Sequence, residues 1–396
     1  MGLTQIIGYG TVYYCFAILA NDVAQNFGWS QADFFGWFSV SLVAGGLVTP
    51  FVGRAFDGFG APRLMAIGSA LVATALLGTA LAPSALLFVL GMIATQVAAT
   101  LVLYDAAFTT LVQLSRGNAS RRIAYLTLIA GFASTVFWPL TSMIDAAYGW
   151  RVTLTSFAAM NFLVSGPVHL LLWHWSKQLF SNVSTPEIEQ SQFMAGSLPR
   201  RYFGKVTLLM TTGFVLSSIA LSAVLGQMVP MLQSLGFGVA SLWVATLFGP
   251  AQVVVRFSNI IFGSKRHPLA VTLLATALLP FGLVVAAFSS PHVFGAVVAV
   301  ILVGMSSGLK SIVQGTLPLQ LFGSAGYGAR LGLMASFRYV AAALSPFAFA
   351  ALAEHFDPAT ACLAFAAIGV AGVACFVGLG ACLKRVQNEV EQTALL

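Results

Sequence analysis

The sequence predicts an all-α membrane protein with twelve transmembrane helices in two pseudo-symmetric six-helix bundles. Three observations predict it. The first is composition: of 396 residues, 59% are hydrophobic and 7% charged, where a soluble domain carries about 25% charged residues. The second is a succession of apolar runs at 4–24, 33–53, 64–83, 85–112, 123–145, 152–175, 205–229, 239–262, 268–289, 293–318, 331–352 and 360–383. Each is close to the roughly 20 residues that cross a bilayer. The third is an internal repeat. Leu103, Thr110, Leu111 and Gly117 line up with Leu309, Thr316, Leu317 and Gly323 at an offset of 206, and Gly28 and Pro139 meet Gly236 and Pro346 at 208 and 207.

The elements follow in order. A run of this length in lipid must be helical, because only a helix satisfies its own backbone polar groups there. The first run opens without a basic n-region or a small-residue cleavage site, so it reads as a membrane helix and not a signal peptide. Runs one to six form a bundle over 1–175. The one long polar stretch, 176–204, is rich in Ser, Gln and Pro and reads as a linker. Runs seven to twelve form a second bundle over 205–396 with a short tail. Of the 18 Lys and Arg, Arg256, Lys310 and Arg338 lie inside runs. With the N-terminus inside the cell, Arg54, Arg63, Arg116, Arg121, Arg122, Lys177, Arg200, Arg201, Lys205, Lys265, Arg266, Arg330, Lys384 and Arg385 fall in cytoplasmic loops, against Arg151 alone outside. Cationic loops stay inside, so both termini are expected in the cytoplasm of an inner-membrane protein.

Composition also excludes. The net charge of +7 is explained by that loop bias, so no nucleic acid is expected. The bilayer and a small solute are the expected partners, and the expected state is a monomer. Cys15, Cys362, Cys375 and Cys382 sit in apolar stretches without paired spacing, which suggests neither a disulfide framework nor a zinc site. His169, His174, His267, His292 and His355 show no ligand spacing. No phosphate loop, dinucleotide turn or Ser/His/Asp set stands out. An enzyme, a metal site and a cofactor are therefore not expected.

Between runs two and three stands Gly53-Arg-Ala-Phe-Asp57-Gly-Phe-Gly60-Ala-Pro-Arg63. Gly53 lets helices approach closely. Asp57 can pair with a basic group or cap a neighbouring helix N-terminus. Gly60 permits a tight turn, and Arg63 supplies a cation. Twelve runs, a central linker, a two-fold repeat and this segment resemble the major facilitator superfamily, whose pattern here is Gly, three residues, Asp, two residues, Gly, two residues, then a basic residue. Gly58 stands where that family usually has Arg, and Leu64 where it has a second basic residue. The resemblance implies alternating access about a site between two bundles, with Gly53, Asp57, Gly60 and Arg63 in gating. Proton–drug antiporters of the family carry an Arg early in span four and a Gly-Pro-Gly-Gly-type motif in span five. Here span four begins Leu86 and reaches Gln96 without Arg, and span five has Gly131 and Pro139 without the full motif. Arg121-Arg122 followed by Gly131-Phe-Ala-Ser loosely resembles the monocarboxylate and oxalate/formate porters.

Four ionisable residues lie well within runs: Asp105, Arg256, Lys310 and Arg338. Each costs about 2.5–3.5 kcal/mol at a lipid-facing helix centre, so each is expected to face a polar cavity or a partner. At 1.5 Å per residue all four lie about 9–12 Å in from the cytoplasmic end. One acid against three bases leaves a positive excess that suits a carboxylate held by a bidentate Arg. Arg338 and Lys310 are the expected substrate-binding cations, although Lys310 also suits pairing with Asp105. Asp105 is the expected proton carrier. Arg256 is read as a gate or snorkelling residue. Gln314 shares a face with Lys310, and Tyr14, Tyr104 and Tyr339 fill out the pocket beside Tyr13.

The expected function is secondary active transport of a small, monocarboxylate-like organic anion, coupled to protons. Efflux of a drug or metalloid, with Cys15 meeting the solute, is the first alternative. A channel or a non-transporting membrane sensor is the second.

Overall fold

The computed structural model describes residues 1–115, 117–181, 196–263, 266–289 and 292–394. Arg116, Lys265 and the middle of the expected linker lie outside the described residues. The chain is helical nearly throughout. Its helices are α1 (Gly2–Phe27), α2 (Gln31–Phe59), α3 (Ala61–Ala80), α4 (Ala85–Leu114), α5 (119–148), α6 (150–178), α7 (Arg200–Phe237), α8 (Ala240–Phe262), α9 (Pro268–Phe288), α10 (Val293–Phe322), α11 (Tyr327–His355) and α12 (Pro358–Ala394). Unbroken, Ala119–Gln178 would be 60 residues long, about 90 Å, or three hydrocarbon cores end to end. Gly149, at φ 80° and ψ 168°, folds it back into two crossings. Each of the twelve expected spans therefore has its helix.

Local chemistry sets the helix ends. Ser30 accepts from the Asp33 N–H, and the Asp33 carboxylate accepts from the Ser30 N–H at 3.0 Å, forming a capping box for α2. Ser84 caps α4. Asp357 starts α12 by accepting from the Thr360 N–H at 2.8 Å. The Thr360 hydroxyl and N–H hold its carboxyl below the ordinary aspartate range.

The internal repeat is written into the backbone. Gly28 (φ 68°) and Gly236 (φ 89°) both take the left-handed conformation at the ends of α1 and α7. Gly117 (φ 94°) and Gly323 (φ 75°) also take positive φ just after α4 and α10. Only glycine adopts such angles without a Cβ penalty. Pro139 and Pro346 lie inside α5 and α11.

The described chain divides into two compact units: Met1–Met194 with Ser324–Val340, and Ala195–Gly323 with Ala341–Leu396. In the first, one end is filled by the rings of Phe27, Trp29, Phe34, Phe88 and Trp150, with centroids 5.2–6.5 Å apart. Arg151 lies 4.2 Å from the Trp150 ring and donates to the carbonyls of Ala80 and Ala82, 2.9 Å each. It thereby fastens the α5–α6 turn to the end of α3. At the other end His169 lies between the hydroxyls of Ser69 (2.6 Å) and Thr4 (2.9 Å), joining α6, α3 and α1.

Small residues set the helix spacing in the second unit. A Cβ on Gly304 or Gly308 would come within 2.8 Å of the α8 backbone or Cβ atoms, so α8 and α10 cross almost backbone to backbone. Gly213 of α7 receives the ring of Phe376 from α12. In lipid such close packing replaces the hydrophobic drive available in water. The linker's end is pinned here: the Ser197 and Leu198 N–H groups donate to Gln320 and Leu321 at 3.1 Å each. Arg201 and Tyr202 both reach Glu389 near the end of α12.

Candidate functional site

The site in the first unit begins with a fault in α4. The helix runs Ala85–Ala99, stops, and resumes as Tyr104–Leu114. Its interruption is seated on α3, where a Cβ at Gly68 would lie 2.5 Å from Leu101 Cβ. The Thr100 hydroxyl turns back onto the Val97 carbonyl at 2.7 Å. The Gln5 side-chain amide donates to the Val102 carbonyl at 2.7 Å. Carbonyls released from a helix in lipid need such donors. The break places Asp105 in the first turn of a new helix, where the backbone dipole favours negative charge.

Asp105 then meets α11. Tyr339 donates its hydroxyl to Asp105 Oδ2 at 3.1 Å, and Arg338 Nη2 lies 3.6 Å from Asp105 Oδ1. The sequence offered Lys310 as the partner of Asp105; the ion pair that forms is instead with Arg338. Arg338 is 8% exposed. Its Nε is buried with no hydrogen-bond acceptor among the described residues. Nε and Nη2 form the side of a guanidinium that receives a carboxylate in two parallel bonds. Here one prong has a carboxylate oxygen just beyond hydrogen-bond length, and the other has none. The guanidinium also lies 5.4 Å from the Tyr339 ring centroid.

α1 supplies an aromatic wall. Residues Gly10–Tyr14 form a π-helical turn, which re-aims the side chains that follow it. The carbonyl of Val12 accepts from the Gln96 amide of α4 at 2.6 Å. Thr11 Oγ1 accepts from Asn161 of α6 at 2.8 Å, at the start of a second π-helical turn, Asn161–Ser165. Gly10 lets α5 approach, since a Cβ there would lie 2.1 Å from the Phe137 ring. The Tyr9 and Tyr104 rings meet at 4.6 Å, Tyr104 stacks on Phe108 at 5.1 Å, and Tyr14 is edge-on to Trp138 at 6.1 Å. Cys15 is fully buried, its thiol donating to the Thr11 carbonyl of its own helix.

The structure thus gathers Tyr14, Tyr104, Asp105, Arg338 and Tyr339 within the first unit. Sequence reasoning missed Tyr9 and Trp138. Tyr9, Tyr13 and Tyr14 do cluster in the sequence, but the π-turn at Gly10–Tyr14 shifts the last two relative to Tyr9, and an ideal helical wheel does not contain it. Trp138 sits beside Pro139 and reads as an interfacial ring.

The segment between α2 and α3 also acts on α11. Asp57 accepts from the N–H groups of Gly328 (2.9 Å) and Ala329 (2.8 Å), capping α11 with a full charge. Arg330 lies within electrostatic range of the same carboxylate. Gly53 and Gly332 make the crossing: a Cβ on Gly53 would be 2.3 Å from the Gly328 carbonyl oxygen, and one on Gly332 2.3 Å from that of Thr49. Gly60, at φ 84°, makes the turn. Arg63 faces the Trp173 ring at 5.9 Å, with Lys177 on the same ring at 4.2 Å.

The remaining expected residues lie in the second unit. Lys310, 4% exposed, donates to the Ser218 hydroxyl at 2.8 Å. Arg256, also 4% exposed, donates from Nε to the Gly308 carbonyl at 3.3 Å, so it anchors the α8–α10 crossing. Gln314 is half-buried, one turn beyond Lys310.

Long apolar helices, a doubled backbone plan and ionisable groups held inside the spans are the marks of a multi-pass membrane transporter. The chain belongs to the Major Facilitator Superfamily, which it matches over residues 1–346. Several solved structures share the fold. The proton:xylose symporter XylE bound to 6-bromo-6-deoxy-D-glucose is 13% identical, with a TM-score of 0.69 and 94% of each chain covered. The human organic anion transporter MFSD10 (TETRAN) is 14% identical, with a TM-score of 0.70, covering 95% of this chain and 96% of that one. The transporter FucP in its outward conformation is 13% identical, with a TM-score of 0.64, covering 95% and 97%. No curated protein matches the sequence.

Proposed function

We propose that this chain is a secondary active transporter that moves a small, monocarboxylate-like organic anion together with a proton by alternating access. The observation that carries this reading is the edge of Arg338. A buried guanidinium leaves Nε without an acceptor among the described residues while Asp105 stands 3.6 Å from Nη2. An unmet buried donor costs about 1–3 kcal/mol, and a substrate carboxylate would remove that cost. When Asp105 takes a proton its charge is lost, and the Arg338 fork can turn to the incoming anion. One proton and one anion arrive together, so the buried net charge is unchanged. Tyr339 holds Asp105 in place in either state, and Tyr14 and Tyr104 line the approach. In the second unit Lys310 and Gln314 are that unit's own anion-binding groups, with Arg256 a structural cation. Gly53, Asp57, Gly60 and Arg63 serve gating. The Lys and Arg distribution supports an inner-membrane protein with both termini cytoplasmic.

Uptake of labelled monocarboxylates into proteoliposomes, with and without an inward proton gradient, tests the reading. The proton gradient should drive accumulation. Arg338→Gln should reduce it by roughly tenfold or more, the worth of one charge-assisted hydrogen bond. Asp105→Asn should retain anion exchange but lose the response to the gradient. Unchanged uptake by a folded, inserted Arg338→Gln protein would remove Arg338 from the site.

A further inference from the structure

The rings around Arg338 narrow the solute. We infer that the first unit binds an aromatic carboxylate, its charge on Arg338 and its ring among Tyr9, Tyr14 and Trp138. This deepens the anion reading above and rests on it.

The argument starts from what surrounds the fork. A short aliphatic acid asks only for a cation and a small apolar space. Here Tyr339 meets both Asp105 and Arg338, and Tyr104 directly precedes Asp105. The Tyr339 ring carries the guanidinium at 5.4 Å. The Tyr9 ring meets that of Tyr104 at 4.6 Å between centroids. Tyr14 passes the series on to Trp138 at 6.1 Å in an edge-on geometry.

These rings are not closed off as a core. Tyr9, Tyr14, Tyr104 and Tyr339 are each partly exposed, and Trp138 is 49% exposed. By contrast, the ring cluster at the Trp150 end holds Phe34 and Phe88, both fully buried. The backbone has been adapted to present the tyrosines. The π-turn at Gly10–Tyr14 sets the aim of Tyr14, and the Gln96 amide is used to satisfy the carbonyl within it. Edge-to-face and offset contacts with a ligand ring require partly open, rigidly held rings of this kind. Their dipolar edges and hydroxyls also tolerate a charged carboxylate nearby better than an aliphatic wall would.

The test uses the purified full chain and ligands matched in size and charge. Benzoate and cyclohexanecarboxylate differ in the π-face; benzyl alcohol keeps the ring and lacks the charge. Binding is read by thermal shift and by quenching of intrinsic fluorescence. Benzoate should bind roughly tenfold more tightly than cyclohexanecarboxylate, as expected of about two good ring contacts. Benzyl alcohol should bind far more weakly than either acid. Trp138→Leu should bring the two acids to within about twofold of each other, and Trp138→Phe should restore the preference. The half-exposed position of Trp138 keeps these variants folded, which the unliganded melting temperature checks.

Equal affinity for the two acids, or tighter binding of cyclohexanecarboxylate, overturns the aromatic preference and leaves the anion reading standing. Benzyl alcohol binding as well as benzoate, with Arg338→Gln without effect, removes the anion reading and this inference with it. Absence of binding by all three compounds overturns the aromatic acid outright.

Discussion

Arg338 and Asp105 show how much a single residue can say in a chain with so few charges. Each was legible in the sequence because an ionised group inside an apolar run must be answered by something. Which cation answers Asp105 was not legible, because the answer depends on the turn of α11 and on the interruption in α4. The geometry makes a sharp demand on side-chain shape. Arg338→Lys keeps the charge and loses the two-pronged edge, so on the proposed anion reading carboxylate affinity should fall by roughly tenfold or more, measured as the dissociation constant for benzoate. The glycine of the α2–α11 crossing is equally exacting. Gly53→Ala puts a methyl 2.3 Å from the Gly328 carbonyl oxygen, and the resulting overpacking should cost about 1–3 kcal/mol, visible as a lower melting temperature. Asp57 was foreseen as a helix cap, and the N–H groups of Gly328 and Ala329 are what it caps.

Among the elements, α4 departs most from its sequence. Residues 85–112 read as one unbroken apolar run, and nothing between Ala99 and Tyr104 is a strong helix breaker. The break comes from other helices: Gly68 makes room for it and Gln5 satisfies a released carbonyl. The π-turn of α1 is of the same kind, with Gln96 as its support. Gln96→Leu should therefore destabilise the chain by roughly 1 kcal/mol, the usual worth of an interhelical hydrogen bond in a membrane. It should also weaken ligand binding through Tyr14. A variant that melts earlier yet binds unchanged would separate the turn from the site. At the start of α12 the cap titrates. The carboxyl of Asp357 is held low by Thr360. The cap is thus fully formed above the unfolded aspartate value of about 3.9 and is lost as pH falls through the lower folded value. Asp357→Ala should abolish that acid-side step in a pH series of melting temperatures while leaving the neutral-pH fold intact.

Across the whole molecule, the count of crossings and the two-fold plan were the most legible features, because lipid leaves few alternatives for a long apolar run. The offsets of 206 to 208 found glycines that turn out to share positive φ in both halves, a likeness that composition alone could not supply. The turn at Gly149 decides whether 119–178 crosses once or twice. A topology reporter placed at Tyr148 should therefore lie opposite one placed after Gln178, and opposite the N-terminus. Reporters at Tyr148 and after Gln178 found on the same face would contradict the twelve-crossing order. Gly149→Val, forced to φ 80°, should impair insertion or folding.

The hydrogen bond from Gln5 to Val102 joins residues 97 positions apart. It means that a lesion in the middle of α4 and a lesion at the beginning of the chain strike one and the same joint. In a genetic screen, revertants that rescue damaged transport alleles at Thr100–Leu103 should accumulate around Gln5 and Gly8, next-door neighbours in space that no linear map would nominate.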